Sequence, residues 1–194
     1  MKSIFDNKQY EYKVNQSKFI TYCFYVEDQN FINETIKNVK NQHFKAKHVC
    51  YAYKYNSVFK YDDNQEPTGS SGKKILDVIN INQLFNILII VVRYMSGNKL
   101  GLGLLTKSYY ESAMLVVTDI NNICLLTAVD VYSFKCALQD FNSLYFLLKK
   151  NKEKIFESVC LENYYQFLST LTKTKSEMIL DKCFVKKSYL KTKS

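Results

Sequence analysis

Hydrophobic positions along the chain follow two spacings, which predict alternating strands and helices. Aromatic and β-branched residues with partial alternation predict a hairpin of two strands over residues 10–16 and 19–26. Ile32, Ile36 and Val39 recur at helical spacing after Asp28, a residue suited to capping a helix. The elements predicted up to residue 120 are completed by a helix over 29–41, strands over 48–55 and 57–61, a helix over 73–80, a strand over 84–92 and a helix over 104–120.

The strand over 84–92 is apolar on both faces, which is typical of a central strand covered on both sides. Two polar, glycine-containing loops, at residues 62–72 and 93–103, each precede a predicted helix. These two loops are therefore the places where functional side chains are expected at the edge of the sheet.

The pattern changes near residue 121, and the chain beyond it contains neither glycine nor proline. The predicted order there is strand 129–138, helix 142–150, strand 155–160, helix 163–171 and strand 177–185, followed by a lysine-rich tail. The sequence thus predicts an α+β protein of two domains, at residues 1–122 and 123–194.

Composition narrows the class of protein. With 194 residues and 47% hydrophobic content, the chain is long and apolar enough to fold around cores. No run approaches the roughly 18 apolar residues of a membrane span, and the N-terminus is too polar for a signal peptide, so a cytoplasmic protein without a membrane partner is expected. The six cysteines lack zinc spacing, and neither a metal site nor a cofactor is predicted.

Rare residues concentrate in one region. Average usage would give about 14 glycines and about 10 prolines, whereas the chain has 5 and 1, with a single arginine and two histidines. All nine lie between His43 and Gly103. Because lysine cannot replace a bidentate or stacked guanidinium, the solitary Arg93 is expected to have a specific role.

The first loop and the strand before it bring titratable side chains together with turn residues. His48 and Cys50 share one face of their strand, and carboxylates follow about a dozen residues later. Contact with a phosphate or another ligand, Cys/His catalysis, an acid-rich metal site and a purely architectural turn are all compatible with this pattern. The predicted cleft wall comprises His48, Cys50, Asp63, Glu66, Pro67, Gly69, Ser70, Ser71 and Gly72.

The second loop joins a buried strand to a helix through a Gly-x-x-x-Gly-x-Gly pattern. Such an arrangement aims helix N–H groups at an anion, although neither the Walker nor the dinucleotide-binding pattern is present. Close helix–strand packing is the alternative explanation for the glycines. The predicted nucleic-acid or anion contacts are Arg93, Tyr94, Gly97, Lys99, Gly101, Gly103 and Lys107.

Four motifs in order resemble the YigZ/IMPACT family: KFI at 18–20, A-x-H-x-C-x-A-Y at 46–53, D-x-x-E-P-x-G-x-x-G at 63–72 and V-V-R-Y-x-x-G-x-K-L-G-x-G-L at 91–104. Tyr109 matches a tyrosine that follows these motifs in the family. Before the glutamate, this chain either carries one extra residue or has Asn64 and Gln65 where family members have Asp and Gly. Ser96 replaces the first glycine of a pair in the last motif, and Leu104 replaces its last glycine.

The resemblance implies an N-terminal domain similar to domain 2 of a ribosomal protein and domain IV of elongation factor G. It implies a smaller, ferredoxin-like α+β C-terminal domain. It also implies roles in translational control, through a protein partner in eukaryotes and through nucleic acid or ribosomes in bacteria, with no established catalytic reaction.

The net charge of +9 includes five lysines after Asp181, so about half of it lies in the tail. We therefore expect a non-enzymatic protein that binds RNA or the ribosome and modulates translation. The alternatives are a small hydrolase or transferase using His48 and Cys50 with Asp63 or Glu66, and a protein-interaction adaptor. The oligomeric state is left open.

Overall fold

The computed structural model describes residues 1–97, 99–171 and 177–193, with side chains described as far as Lys182 and at Val185. Ten strands and four helices lie in these residues. The strands are β1 (Lys2–Ile4), β2 (Lys8–Val14), β3 (Ser17–Tyr25), β4 (His48–Tyr55), β5 (Val58–Asp62), β6 (Ile87–Met95), β7 (Ile123–Ala137), β8 (Ile155–Cys160), β9 (Tyr164–Thr170) and β10 (Asp181–Lys193). The helices are α1 (Gln29–Gln42), α2 (Gly72–Ile81), α3 (Leu102–Thr118) and α4 (Phe141–Lys150).

The chain divides into two compact units, Met1–Leu126 with the residues from Lys191 onward, and Thr127–Leu190. The predicted mixed α/β architecture is confirmed, with two five-stranded sheets. The names expected for the two domain folds stay predictions. No helix in the described part of the chain is long and apolar enough to span a membrane.

The larger unit is built on an antiparallel sheet in the order β2-β3-β6-β4-β5. The central strand β6 is buried on both faces, as its sequence predicts. Helices α2 and α3 pack on the face that carries Ile89 and Val91, and α1 packs on the face that carries Ile90 and Val92. Successive residues of β6 therefore enter two different cores.

The start of α1 agrees with its sequence signal, because Asp28 accepts a hydrogen bond from the Phe31 N–H at 2.8 Å. Its buried side chains include Ile32 and Val39. Strand β1, which the hydrophobic pattern does not predict, pairs with the first residues of β7. Strand β7 accordingly begins at Ile123 rather than at 129.

In the smaller unit, α4 covers a sheet of β7, β8 and β9, and β10 also pairs with β7. The helix predicted over 163–171 is wrong, because Tyr164–Thr170 forms strand β9. Phe167 stacks on Phe134 with ring centroids 5.2 Å apart, and Tyr165 stacks on Phe141 at 3.9 Å. The aromatic, β-branched composition of this segment favours the strand once α4 offers a surface to pack against.

The lysine-rich tail is also placed differently from the prediction, since its backbone continues strand β10 to Lys193. Cys23, Cys50, Cys124 and Cys136 are buried thiols, and Cys160 is an exposed thiol. The side chain of Cys183 lies outside the described residues.

Candidate functional site

His48, Glu66, Arg93 and Tyr109 meet at one end of the larger sheet, and we call them the Glu66 cluster. His48 lies opposite Arg93 in the pairing of β4 with β6. Arg93 Nη1 donates to Glu66 Oε1 at 2.7 Å, and the Tyr109 hydroxyl donates to the same oxygen at 2.9 Å. His48 Nε2 lies 3.7 Å from that oxygen. The two sequence-predicted loops are thus joined through one carboxylate.

The Glu66 cluster is buried. Arg93 is 3% exposed, Tyr109 is fully buried, and the Glu66 side chain is 5% exposed. The Arg93 guanidinium carbon lies 5.6 Å from the centre of the Phe19 ring, and its Nε has no hydrogen-bond partner among the described residues. The charge of Arg93 is therefore paired with Glu66 inside the protein, and its contact with phosphate stays a prediction.

Hydrogen bonding fixes the tautomer of His48. Its Nδ1 lies 2.8 Å from the backbone carbonyl oxygen of Asn64. A carbonyl oxygen only accepts, so Nδ1 carries the proton, and Nε2 is the nitrogen directed at Glu66. Asn64 also accepts from the Val49 N–H at 2.7 Å through its own side chain, which anchors the first loop to β4.

Asp63 closes the first loop on the start of α2. Its carboxylate accepts from the N–H groups of Gly69, Ser71 and Gly72 at 2.8, 3.1 and 2.7 Å. Burial alone would raise the pKa of Asp63, but these bonds and the Ser71 hydroxyl outweigh burial and hold the pKa below its usual value. These N–H groups are therefore not available to an external anion, contrary to one of the predicted uses of the loop.

The remaining residues of the first loop form a tight connection. The Ser70 N–H and hydroxyl both donate to the Pro67 carbonyl, at 3.0 and 2.6 Å. A Cβ on Gly72 would lie 2.5 Å from the Asp62 carbonyl oxygen, so only glycine allows α2 to begin so close to β5. The geometry favours the architectural alternative for Pro67, Gly69, Ser70, Ser71 and Gly72 rather than a free anion cradle.

Cys50 belongs to the core beneath the Glu66 cluster. Its thiol donates to the Asp63 carbonyl oxygen at 3.1 Å and lies 3.4 Å from the Tyr109 hydroxyl. The residue is fully buried, and burial raises the pKa of the thiol to about 12. The thiolate that a Cys/His nucleophile needs is thus strongly disfavoured.

Tyr94 lies on the opposite face of the sheet from Arg93, because side chains alternate along β6. Its hydroxyl is 2.7 Å from His43 Nδ1, and the Tyr22 hydroxyl is 2.7 Å from His43 Nε2. Tyr94 and Arg93 therefore do not share one surface, and the ligand contact expected of Tyr94 stays a prediction. The Tyr22–His43–Tyr94 chain carries no sequence signal beyond the rarity of histidine, and burial lowers the pKa of His43.

We call the second loop, residues 96–103, the glycine loop. Its beginning is hydrogen-bonded to the turn between β2 and β3, and its end is exposed. Ser96 donates to the Gln16 carbonyl oxygen through its N–H and its hydroxyl, at 3.1 and 2.8 Å. Gly97 has φ +82°, and a Cβ there would overlap the Gln16 side chain. Gly97 is therefore required by the turn itself, and Asn98 lies outside the described residues.

The end of the glycine loop is the start of α3. Gly101 is the N-cap, with extended backbone and no side-chain hydrogen bond to the helix, and no acidic residue occupies the first turn. Lys99, Gly101, Gly103 and Lys107 are all exposed. A Cβ on Gly101 or Gly103 would meet nothing within 4 Å, which excludes close helix–strand packing as the reason for these two glycines.

The larger unit matches a known protein family in sequence. Residues 15–117 match the model of the Impact N-terminal domain. The chain belongs to the IMPACT family. The IMPACT family member YvyE of Bacillus subtilis is 33% identical over 107 residues, which cover 54% of this chain and 49% of that protein. In this alignment the chain spans about half the length of its relative.

The IMPACT family member YigZ of Escherichia coli is 25% identical over 154 residues, covering 75% of this chain and 74% of that protein. A crystal structure of a hypothetical protein superposes with a TM-score of 0.66 at 22% identity, covering 88% of this chain and 84% of the other. That superposition shows a shared fold.

The first loop contains two non-glycine residues in the left-handed region of backbone conformation. These are Asn64, with φ +43°, and Gln65, with φ +66°. Gly adopts this left-handed conformation without strain, whereas glutamine does so less readily. The sequence also matches Tyr109 to a family tyrosine, but only the structure gives its partner, the buried Glu66 carboxylate.

Proposed function

We propose that this IMPACT family chain binds phosphate groups of RNA or of the ribosome through the end of its glycine loop and the start of α3, and thereby modulates translation. The single observation that carries the proposal is the uncapped, exposed N-terminus of α3. The N–H groups of the first turn of a helix have no partner within the helix. Together with the helix dipole, they form a ready site for an anion.

The two open glycines support this proposal. Gly101 and Gly103 are among only five glycines in the chain, and neither has a positive φ or a neighbour that a Cβ would touch. Internal packing therefore gives no reason to exclude a side chain at either position. A glycine at an exposed helix start lets an external backbone approach closely, as phosphate-binding loops do.

Two exposed lysines supply the charge. Lys99 precedes the helix and Lys107 lies in its second turn, and neither forms an ion pair within the described residues. A protein that neutralises several phosphates with lysine loses affinity steeply as salt rises. The assignment to translational control depends on family membership, and the anion chemistry depends on the α3 start.

The proposal assigns no catalytic reaction. Its support is that the two candidate catalytic groups, Cys50 and Glu66, are committed to internal contacts: the Cys50 thiol is buried with a raised pKa, and Glu66 is paired with Arg93. The hydrolase alternative would need a reactive thiol or a free carboxylate at that position.

The variant Gly101→Asp separates binding from folding. An Asp at the N-cap accepts N–H groups of the first turn, so α3 should be as stable as in the wild type or more stable by a few tenths of a kcal/mol. The same carboxylate would occupy and repel the anion site. We expect at least a tenfold loss of affinity for single-stranded RNA or ribosomes, measured by filter retention and co-sedimentation at fixed salt.

Gly101→Asn is the matched control, because it caps the helix without a charge and should lose less affinity than Gly101→Asp. Lys99→Ala with Lys107→Ala should also reduce the slope of log affinity against log salt, by about 0.7 for each single-strand phosphate that is no longer neutralised. Salt-insensitive binding, or unchanged binding by Gly101→Asp, would contradict the proposal. Recovery of a protein partner after nuclease treatment would favour the adaptor alternative instead.

A further inference from the structure

A cavity lies at the opposite end of the larger sheet from the buried Glu66 cluster. Tyr25 pairs with Ile87 at the beginning of β6, whereas His48 pairs with Arg93 six residues later. At about 3.3 Å per residue, the two ends are about 20 Å apart. The cavity has a volume of about 340 Å³ and lies where the segment before β2, the end of β3 and the start of α1 converge.

The lining of this cavity combines aromatic rings with carboxylates. Phe5, Tyr25 and Phe31 supply the rings, and Asp6, Glu27 and Asp28 supply the acids. None of these three acids forms an ion pair within the described part of the chain. Lys8, the nearest basic residue in sequence, pairs with Asp119 at 2.8 Å and also interacts with the charge of Asp6. Three acidic residues and no basic residue thus line the cavity, in a protein whose net charge is +9.

We propose that this cavity binds an organic cation, namely an alkyl chain that ends in an ammonium group. Aromatic faces attract a desolvated cation, and carboxylates accept its N–H groups in charge-assisted hydrogen bonds. A concave, partly apolar wall also focuses the field of the acids on a bound cation. The volume lies at the small end of ligand sites, which fits one such chain.

A bare metal ion fits this cavity less well. No group of three or more His, Cys, Asp or Glu residues in the described chain converges closely enough to hold a metal ion. The three carboxylates therefore do not form a set of ligands around one point. Such spacing suits a larger cation whose charge and alkyl stem contact different walls.

The ammonium group has two sources with the same chemistry, a free diamine or a lysine side chain of a peptide. The probes are 1,5-diaminopentane, a short peptide with one internal lysine and, as the anionic counterpart, butanoate. Each is titrated into the full chain by calorimetry and by NMR chemical-shift mapping at low and high salt. We expect saturable binding of at least one amine, weakened by salt, with shifts at Phe31 and Tyr25, and none with butanoate.

Two charge-removing variants test the site without threatening the fold. Glu27→Gln removes an exposed carboxylate, and Asp28→Asn keeps a good N-cap for α1 while removing its charge. Each should weaken amine binding at least fivefold. Glu34→Gln is the matched control, because Glu34 is an exposed acid of α1 outside the cavity lining, and it should leave the affinity unchanged.

Tighter binding of the diamine than of the peptide would identify a free amine as the ligand, and the reverse order would identify a lysine side chain. Binding of neither amine, equal binding of butanoate, or equal losses in Glu34→Gln would overturn the proposal. Because the cavity and the α3 start lie at opposite ends of the sheet, Gly101→Asp should leave amine binding intact. The two proposals can therefore fail separately.

Discussion

At the scale of single residues, the only arginine of the chain is buried in the interior. Arg93 neutralises the buried Glu66 carboxylate and lies over the Phe19 ring. A lysine could supply the charge but not the planar group that contacts both partners. The rarity of arginine predicts a specific role for Arg93. The sequence does not show that the Arg93 side chain is buried, because that depends on where Glu66 and Tyr109 lie in the fold.

Arg93→Met should destabilise the protein strongly, because it leaves the Glu66 carboxylate buried without its partner. The expected loss in the free energy of unfolding is about 3–5 kcal/mol, measured by urea denaturation. The double variant Arg93→Met with Glu66→Leu should recover most of that loss, since both charges are then absent. A loss below about 1 kcal/mol in the single variant would contradict a buried pair.

The Cys50 thiol should be unreactive in the folded protein. Because burial raises its pKa to about 12, its thiolate is scarce at pH 8, where an ordinary cysteine is partly ionised. Alkylation at pH 8 followed by mass spectrometry should modify the exposed Cys160 first and Cys50 only after unfolding. Rapid modification of Cys50 in the native protein would favour the hydrolase alternative.

At the scale of elements, the local sequence is sufficient to predict a helix or strand wherever the hydrophobic spacing and the capping residues agree. Helix α1 follows its Asp28 cap, and β6 follows its continuous apolar run. The helix predicted in place of β9 is wrong because a short aromatic run is compatible with a helix or a strand until its packing partners are known. Phe134 and Phe141, both distant in sequence, decide the outcome.

The candidate site shows the same division. The turn residues predict a tight loop before α2. The local sequence does not show that the Asp63 carboxylate accepts hydrogen bonds from the N–H groups that an anion would otherwise use. Likewise, the glycine pattern of residues 97–103 does not separate Gly97, which the turn requires, from Gly101 and Gly103, which are open. The structure distinguishes Gly97 by its positive φ and by its contact with Gln16, a residue of the turn between β2 and β3.

The start of α2 should depend on the Asp63 carboxylate and on pH. Asp63→Ala should lower the free energy of unfolding by about 1–2 kcal/mol near pH 7, as loss of a helix cap does. The folded-state pKa of Asp63 is lowered, so its contribution is present above the unfolded value near 4 and is lost as pH falls through the folded value.

The check is urea denaturation of wild type and Asp63→Ala between pH 7 and pH 2. The stability difference should shrink at the acid end of this range. Asp77→Ala, which removes a half-buried acid of α2 that pairs with Lys73 and Lys74, serves as the control and should change stability by less than about 1 kcal/mol. A difference between wild type and Asp63→Ala that is constant over the whole range would contradict the capping role.

At the scale of the whole molecule, the larger unit offers opposite chemistries at the two ends of one sheet. Exposed lysines and a helix start without a side-chain cap or an acidic residue lie at the beginning of α3, and three carboxylates with three rings line the cavity near the α1 start. The two proposals, for an anion and for a cation, therefore concern separate surfaces. The overall charge of +9 describes neither surface, which is why composition alone is weak evidence for a nucleic-acid partner.

The two units also have separate hydrophobic clusters, which predicts that each can lose protection without the other. Phe167 is fully buried in the cluster of the smaller unit, so Phe167→Ala should cost about 3–5 kcal/mol there. Native-state hydrogen exchange should show reduced protection in β8 and β9, while β3, β4 and β6 keep theirs. Val91→Ala, a truncation in the larger unit, should give the reverse pattern. Equal loss of protection in both units would mean that they unfold as one, and then RNA binding at the α3 start should fall with Phe167→Ala as well.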